Sequence, residues 1–289
     1  IETTFGDVYI EPEIMDILQT AVMYPILYPE EYTTGILAQE SMGGVLLFGP
    51  PGTGKTMACR ALAKESGARM LQLPASTVQN QAVGQTEKLI LAAFSLARRL
   101  GPCIMFIDEL DALFCKRDKD SKPWHRTMVT EFTQAMDGLT TAAANQRAGL
   151  VVVGATNRPQ DIDTAVMRRL SRRILVDLPT VKQRKVIINH YLKDERYDEK
   201  TVNVANLAYC TESFSGSDLR HLVFCAALAA LKDIMVPHSA DIVPRPQSSG
   251  ARRYIQGKHF DRALKQLATC SGNNRKDLDE LRRWAKQIQ

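Results

Sequence analysis

Short apolar, β-branched blocks punctuate the first 180 positions: Val45 to Phe48, Met70 to Leu73, Cys103 to Ile107, Val151 to Ala155 and Ile174 to Asp177. Runs that are apolar throughout suit strands buried on both faces of a sheet. Between them lie helical patterns over Thr56 to Ser66, Glu87 to Leu100 and Arg126 to Leu139. Strand and helix in alternation predict an α/β fold, a parallel sheet with helices on both faces. After Leu178-Pro179 the strand blocks stop. The pattern then predicts helices over Lys182 to Leu192, Asn203 to Cys210, Ser217 to Ile234, His259 to Leu267 and Lys276 to Gln287. The expected division is an α/β domain over 1–179 and a small helical domain over 180–289, with a mobile loop at the Pro-, Ser- and Gly-rich stretch Pro237 to Gly257.

Composition narrows the class without naming it. A chain of 289 residues with 45% hydrophobic and 24% charged residues can bury a sizeable core. Its longest apolar runs, such as Val223 to Leu231, fall far short of the roughly 20 residues that span a bilayer. The chain starts at Ile1 with no charged-then-apolar leader and is read as a segment of a longer protein. Membrane anchoring is expected only through a segment absent from it. The net charge of +5 is mild and dispersed, so no nucleic-acid partner is expected. The six cysteines lie far apart with no metal spacing, and most are expected to be reduced, buried packing residues in a reducing compartment.

Two blocks carry chemistry. Gly49-Pro50-Pro51-Gly52-Thr53-Gly54-Lys55-Thr56 follows a strand and opens a helix. Glycines there let backbone N–H groups converge on phosphate oxygens, and the helix N-terminus adds positive potential. Lys55 reaches the outer phosphates and the Thr56 hydroxyl can ligate Mg²⁺. Pro51, Gly52, Thr53, Gly54, Lys55, Thr56 and Met57 form the candidate nucleotide-binding run. About fifty residues on, the strand Cys103 to Ile107 ends in Asp108-Glu109, two carboxylates that would project into the crevice at the sheet's carboxyl edge. Asp108 suits the outer shell of Mg²⁺, and Glu109 suits the general base that polarises an attacking water. ATP and Mg²⁺ are the implied cofactors.

A third block, the strand Val151 to Ala155 followed by Thr156-Asn157-Arg158-Pro159, makes a resemblance specific: the three motifs, their order and the helical tail look like an AAA ATPase. The resemblance implies a P-loop AAA+ module, a five-stranded parallel sheet followed by a small α-helical lid, with the Asn157 strand between the two other motif strands. It makes Asn157 a sensor of the γ-phosphate and attacking water. Four arginines crowd Arg168 to Arg173, which a solvated basic turn would also explain. By resemblance Arg168 and Arg169 are fingers that act in trans, so that hydrolysis needs a homo-oligomer, a hexamer. Ser215-Gly216-Ser217-Asp218 reads as a capped helix start; by resemblance the Gly216 and Ser217 backbone lies against the adenine. Phe5-Gly6-Asp7-Val8 is similar to the family's opening segment, in which Asp7 and Val8 flank the adenine, although Tyr9-Ile10 replaces the usual Gly-Leu.

Several stretches resemble the branch that holds katanin, spastin, fidgetin and the Msp-type mitochondrial translocases. Thr56 to Ala68, Phe94 to Ala112 and Phe214 to Leu219 are most similar to the Msp type, and the ending around Trp284 is similar to the branch's C-terminal helix. The first pore loop departs: Gln81-Ala82-Val83-Gly84 lacks the aromatic that grips polypeptide, and Trp124 and His125 fall where the second pore loop should. The expected function is ATP-driven remodelling, extraction or unfolding of a protein substrate by a ring hexamer. The favoured version acts on membrane proteins, facing the cytosol at the mitochondrial outer membrane. Two alternatives stand beside it: disassembly of a microtubule or membrane-remodelling filament, and a nucleotide-gated scaffold that threads nothing.

Overall fold

The computed structural model describes residues 3–39, 44–75, 85–116, 123–141, 149–236, 245–246, 253–268 and 275–288. The chain divides into two compact units, Ile1–Asp177 with Asp279–Gln289, and Leu178–Leu278. In the first, β1 (Val45–Phe48), β2 (Arg69–Leu73), β3 (Cys103–Ile107), β4 (Leu150–Thr156) and β5 (Arg172–Leu175) form one sheet in the order β2-β3-β4-β1-β5, all parallel. β4, which leads into Asn157, thus lies between β1 and β3.

The sheet is buried on both faces, and its residues alternate between two apolar layers. Leu46, Met105, Ile107 and Val152 enter one layer with Phe94, Phe114 and Phe132. Val45, Leu47, Ile104, Phe106, Val153 and Ala155 enter the other with Leu18, Val22, Ala58 and Leu62. The second layer is covered by α1 (Pro12–Leu18), the π turn Gln19–Met23 that joins it to α2 (Tyr24–Leu27), and α4 (Lys55–Glu65); α3 (Gly35–Gln39) lies between α2 and β1 in the chain. The first layer is covered by α5 (Gln85–Leu100) and α7 (Pro123–Thr141), where Phe94 meets Phe132 edge-on at 5.8 Å. Two short helices complete this part, α6 (Leu110–Leu113) and α8 (Thr164–Arg169).

One difference from the sequence pattern has a simple cause. β5 starts at Arg172 rather than Ile174, because an edge strand keeps one side toward water and tolerates the exposed Arg172 that an all-apolar rule rejects. Among the described residues, Cys59 and Cys103 are buried, Cys115 and Cys210 are exposed and Cys225 is half-buried, and none of them forms a disulfide.

The second unit is helical: α9 (Val181–Leu192), α10 (Val204–Cys210), α11 (Gly216–Ile234) and α12 (Gly257–Ala268). Thr180 and Ser215 cap α9 and α11 through capping boxes, and Asn203 caps α10 by accepting from the Asn206 N–H. Buried Arg184 pins α9 by donating to Ala208 O (2.9 Å) and Pro179 O (2.8 Å). A two-residue antiparallel pair, Met235–Val236 with Arg245–Pro246, stands where only loop was expected.

The last helix, α13 (Arg275–Ile288), was grouped by sequence with the helical part, yet from Asp279 onward it belongs to the sheet unit. Leu281 and Ala285 bury against Phe48, and the Trp284 ring meets Phe48 edge-on at 4.8 Å. Arg282 Nε donates to Asp177 Oδ2 at 2.8 Å. Trp284→Ala is expected to lower stability by about 2 kcal/mol, read from denaturant unfolding, with Trp284→Phe keeping most of the loss at bay.

Candidate functional site

The loop between β1 and α4 owes its shape to its glycines. Gly49 (φ 151°), Gly52 (74°) and Gly54 (97°) all occupy the region that disfavours side chains. A Cβ on Gly49 would come within 2.1 Å of Val176 O, so only glycine fits there. Gly54, the N-cap of α4, has no atom within 4 Å of where a Cβ would sit, which leaves the helix N-terminus open to an anion. Thr53 Oγ1 closes the loop on Pro50 O at 3.0 Å.

Lys55 enters this loop from the first turn of α4. Its buried ammonium donates to Gly49 O (2.9 Å), Pro50 O (2.7 Å) and Asn157 Oδ1 (2.7 Å). The last of these joins two motifs 102 positions apart. Burial pushes the Lys55 ammonium down to about 8, against the opposing pull of the Asp108 and Asp111 carboxylates.

The acidic pair leaves β3 beside it. Asp108 Oδ2 accepts from Thr56 Oγ1 at 3.0 Å, and Asp108 Oδ1 accepts from the Glu109 N–H. Hydroxyl and carboxylate together make a hard oxygen set of the sparse kind that Mg²⁺ uses when phosphate oxygens complete its shell. Glu109 is exposed and stands in the left-handed region (φ 51°, ψ 50°) as the N-cap of α6. Such a backbone costs of order 1–3 kcal/mol in a residue with a side chain and is found where position matters.

Three residues of this neighbourhood went unassigned in the sequence. Asp111 Oδ1 accepts from the buried Thr156 Oγ1 at 2.6 Å, and the same hydroxyl accepts the Arg158 N–H at 2.9 Å. Asp137, on α7, takes Arg169 in a two-bonded pair, Nε to Oδ1 at 2.9 Å and a terminal nitrogen to Oδ2 at 2.7 Å. That pairing holds the Asp137 carboxyl below its usual range and raises the Arg169 guanidinium. The only advance signal was the acidic character of Asp111 two places after Glu109.

Arg168 differs from its neighbour: it is exposed and makes no hydrogen bond or ion pair among the described residues. Arg173 lies 6.0 Å from the Trp284 ring centroid and donates to Met167 O. Asp7 spends its carboxylate on Thr4, whose N–H and Oγ1 both donate to it at 2.9 Å, and Val8 is buried in the apolar layer that holds Ala58 and Leu62. Met57 is exposed on α4. In the second unit, Gly216 and Ser217 form the first turn of α11 behind the Ser215–Asp218 capping box. Residues 81–84 and the side chains of Trp124 and His125 lie outside the described residues.

The Lys55 shift gives two opposite pH trends. Its folded value, about 8, lies below the ordinary 10.5, so the unfolded chain binds the proton more tightly and stability rises with pH across that window. A phosphate bound at Lys55 would need the ammonium, so nucleotide affinity is expected to fall by about tenfold per pH unit above about 8. Titration with a fluorescent ADP analogue from pH 7 to 10 checks this; Lys55→Met removes the trend and most of the affinity.

The pattern of the ATPase family associated with various cellular activities (AAA) matches residues 45–178. Spastin of Danio rerio is 36% identical over 283 residues, 98% of this chain and 47% of that protein. Spastin of Homo sapiens is 36% identical over 263 residues, covering 91% and 41%, and that of Drosophila mojavensis 38% over 250 residues, covering 86% and 31%. The chain therefore spans less than half the length of these relatives. The crystal structure of the FIGL-1 AAA domain in complex with ADP matches with a TM-score of 0.80 at 32% identity, over 97% of this chain and 89% of that one. The family pattern spans β1 to β5 and the phosphate loop, and with these relatives it settles the family: the chain belongs to the AAA ATPases, in their katanin, spastin and fidgetin branch.

Proposed function

We propose that this chain is the ATP-hydrolysing motor of a homo-oligomer, a hexamer, that remodels a protein assembly. The observation that carries the reading is the convergence of Lys55, Thr56, Asp108 and Asn157 through direct side-chain bonds at the mouth of one sheet. The Gly52 to Thr56 backbone and the Lys55 ammonium bind the phosphates, with Pro51 and Met57 flanking. Thr56 and Asp108 would hold Mg²⁺, which would neutralise phosphate charge. Glu109 accepts the proton of the attacking water while Asn157 orients it. In the sheet unit, Asp7 and Val8 are the candidates for the adenine.

Arg168 is the candidate finger for a neighbouring copy's γ-phosphate, because its guanidinium has no partner among the described residues whereas Arg169 is engaged by Asp137. The two arginines follow one another on α8, about 100° apart around the axis, so they cannot share a direction.

Likeness to spastins and to the FIGL-1 AAA domain supports the polymer-disassembling version, with a cytoskeletal filament as substrate, over extraction of membrane proteins at the mitochondrial outer membrane. Steady-state ATPase activity across protein concentration tests the reading. The rate per subunit should climb with concentration, and fall by about 10³-fold or more in Glu109→Gln and Arg168→Ala. Arg169→Ala should cost less than Arg168→Ala. Stimulation by microtubules and not by a tail-anchored membrane protein selects the filament version; the reverse selects extraction. A rate that is flat with concentration and untouched by Arg168→Ala sinks the shared site.

A further inference from the structure

Cross-ties join the stretch that follows the acidic pair to the stretch that follows β4. At one end Asp111 accepts from Thr156 Oγ1 at 2.6 Å, and Thr156 Oγ1 accepts the Arg158 N–H, so the turn that bears Asn157 is gripped from both sides. At the other end Lys116 N donates to Asp161 O (2.6 Å) and Asp163 N to Phe114 O (2.8 Å), with Cys115 bridged antiparallel to Ile162. The Asp163 side chain then caps α8 by accepting the Ala165 N–H at 2.8 Å. Glu109, Asn157 and the arginine helix are thus fixed to one two-railed ladder, residues 109–116 and 156–163.

We propose that Asp111 is the positioning residue of this ladder, holding the Asn157 turn in register with Glu109. The proposal rests on the hydrolytic reading above and assigns Asp111 no contact with nucleotide. Asp111 stands in the first turn of a four-residue helix and directs its one hydrogen bond among the described residues at Thr156. An O–H donor on an ionised carboxylate at 2.6 Å is of the strong, charge-assisted kind. Thr156 is only 2% exposed, so water cannot readily replace the lost acceptor. Asn157 follows it directly, and a displacement of about 1 Å in a group that orients a reactant can cost on the order of 10²-fold in rate.

The test compares Asp111→Ala, Thr156→Val, the double variant and Thr156→Ser with the parent and Glu109→Gln. Asp111→Ala and Thr156→Val should each lower kcat by about 10- to 100-fold while the Kd for a fluorescent ADP analogue stays within about twofold. The double variant should be no slower than the slower single, and Thr156→Ser, which keeps the hydroxyl, should retain the parental kcat. Backbone amide exchange at Arg158, followed by mass spectrometry without turnover, should quicken in Asp111→Ala and not in Glu109→Gln. Additive losses, an equal loss of affinity, or unchanged exchange would overturn the proposal. A parent that does not turn over ATP would instead overturn the hydrolytic reading, and the exchange measurement would still decide the role of Asp111.

Discussion

An ammonium group held out of water sets the terms for the site. Lys55 is 8% exposed, and an unpaired charge at that depth would be too costly to keep. Its solution is to take two main-chain carbonyls and one amide oxygen as partners. Those carbonyls turn inward because Gly49 adopts φ 151°, and Gly49 can lie there because it has no side chain to meet Val176. Val176 in turn is fixed by its N–H bond to Phe48 O (2.8 Å), the continuation of the β1–β5 pairing. One cation therefore depends on a glycine, the glycine on a neighbouring strand, and that strand's neighbour Asp177 on the helix that closes the chain.

What could be read in the sequence, and what could not, follows the range of the interactions. The phosphate loop was legible because its chemistry is compressed into eight consecutive residues, and β1, β3 and β4 because strands buried on both faces leave continuous apolar runs. β5 was displaced by two residues because an edge strand obeys a looser rule. The Asp111–Thr156 and Asp137–Arg169 bonds span 45 and 32 positions, and nothing local distinguishes an acid with such a partner from one facing water. The allegiance of α13 was hidden for a related reason: an amphipathic helix announces that it has an apolar face, not which surface will cover it.

The neighbouring arginines show how about 100° of helix rotation separates two fates. Arg169 turns toward α7 and finds Asp137; Arg168 keeps its guanidinium in solvent. The Asp137 pair is half open to water, with side chains 31% and 50% exposed, so its contribution to stability is small and its effect is chiefly on where the guanidinium sits.

The chain leaves the sheet unit at Asp177 and returns to it at Asp279, and the Arg282–Asp177 ion pair ties the point of departure to the helix of return. In topological terms the helical unit is an insertion whose two ends are fastened to one spot. The entropic cost of such a closed excursion grows only logarithmically, by about 0.6 kcal/mol for each doubling of its length. Added loop length between Leu178 and Leu278 is therefore cheap for the sheet unit.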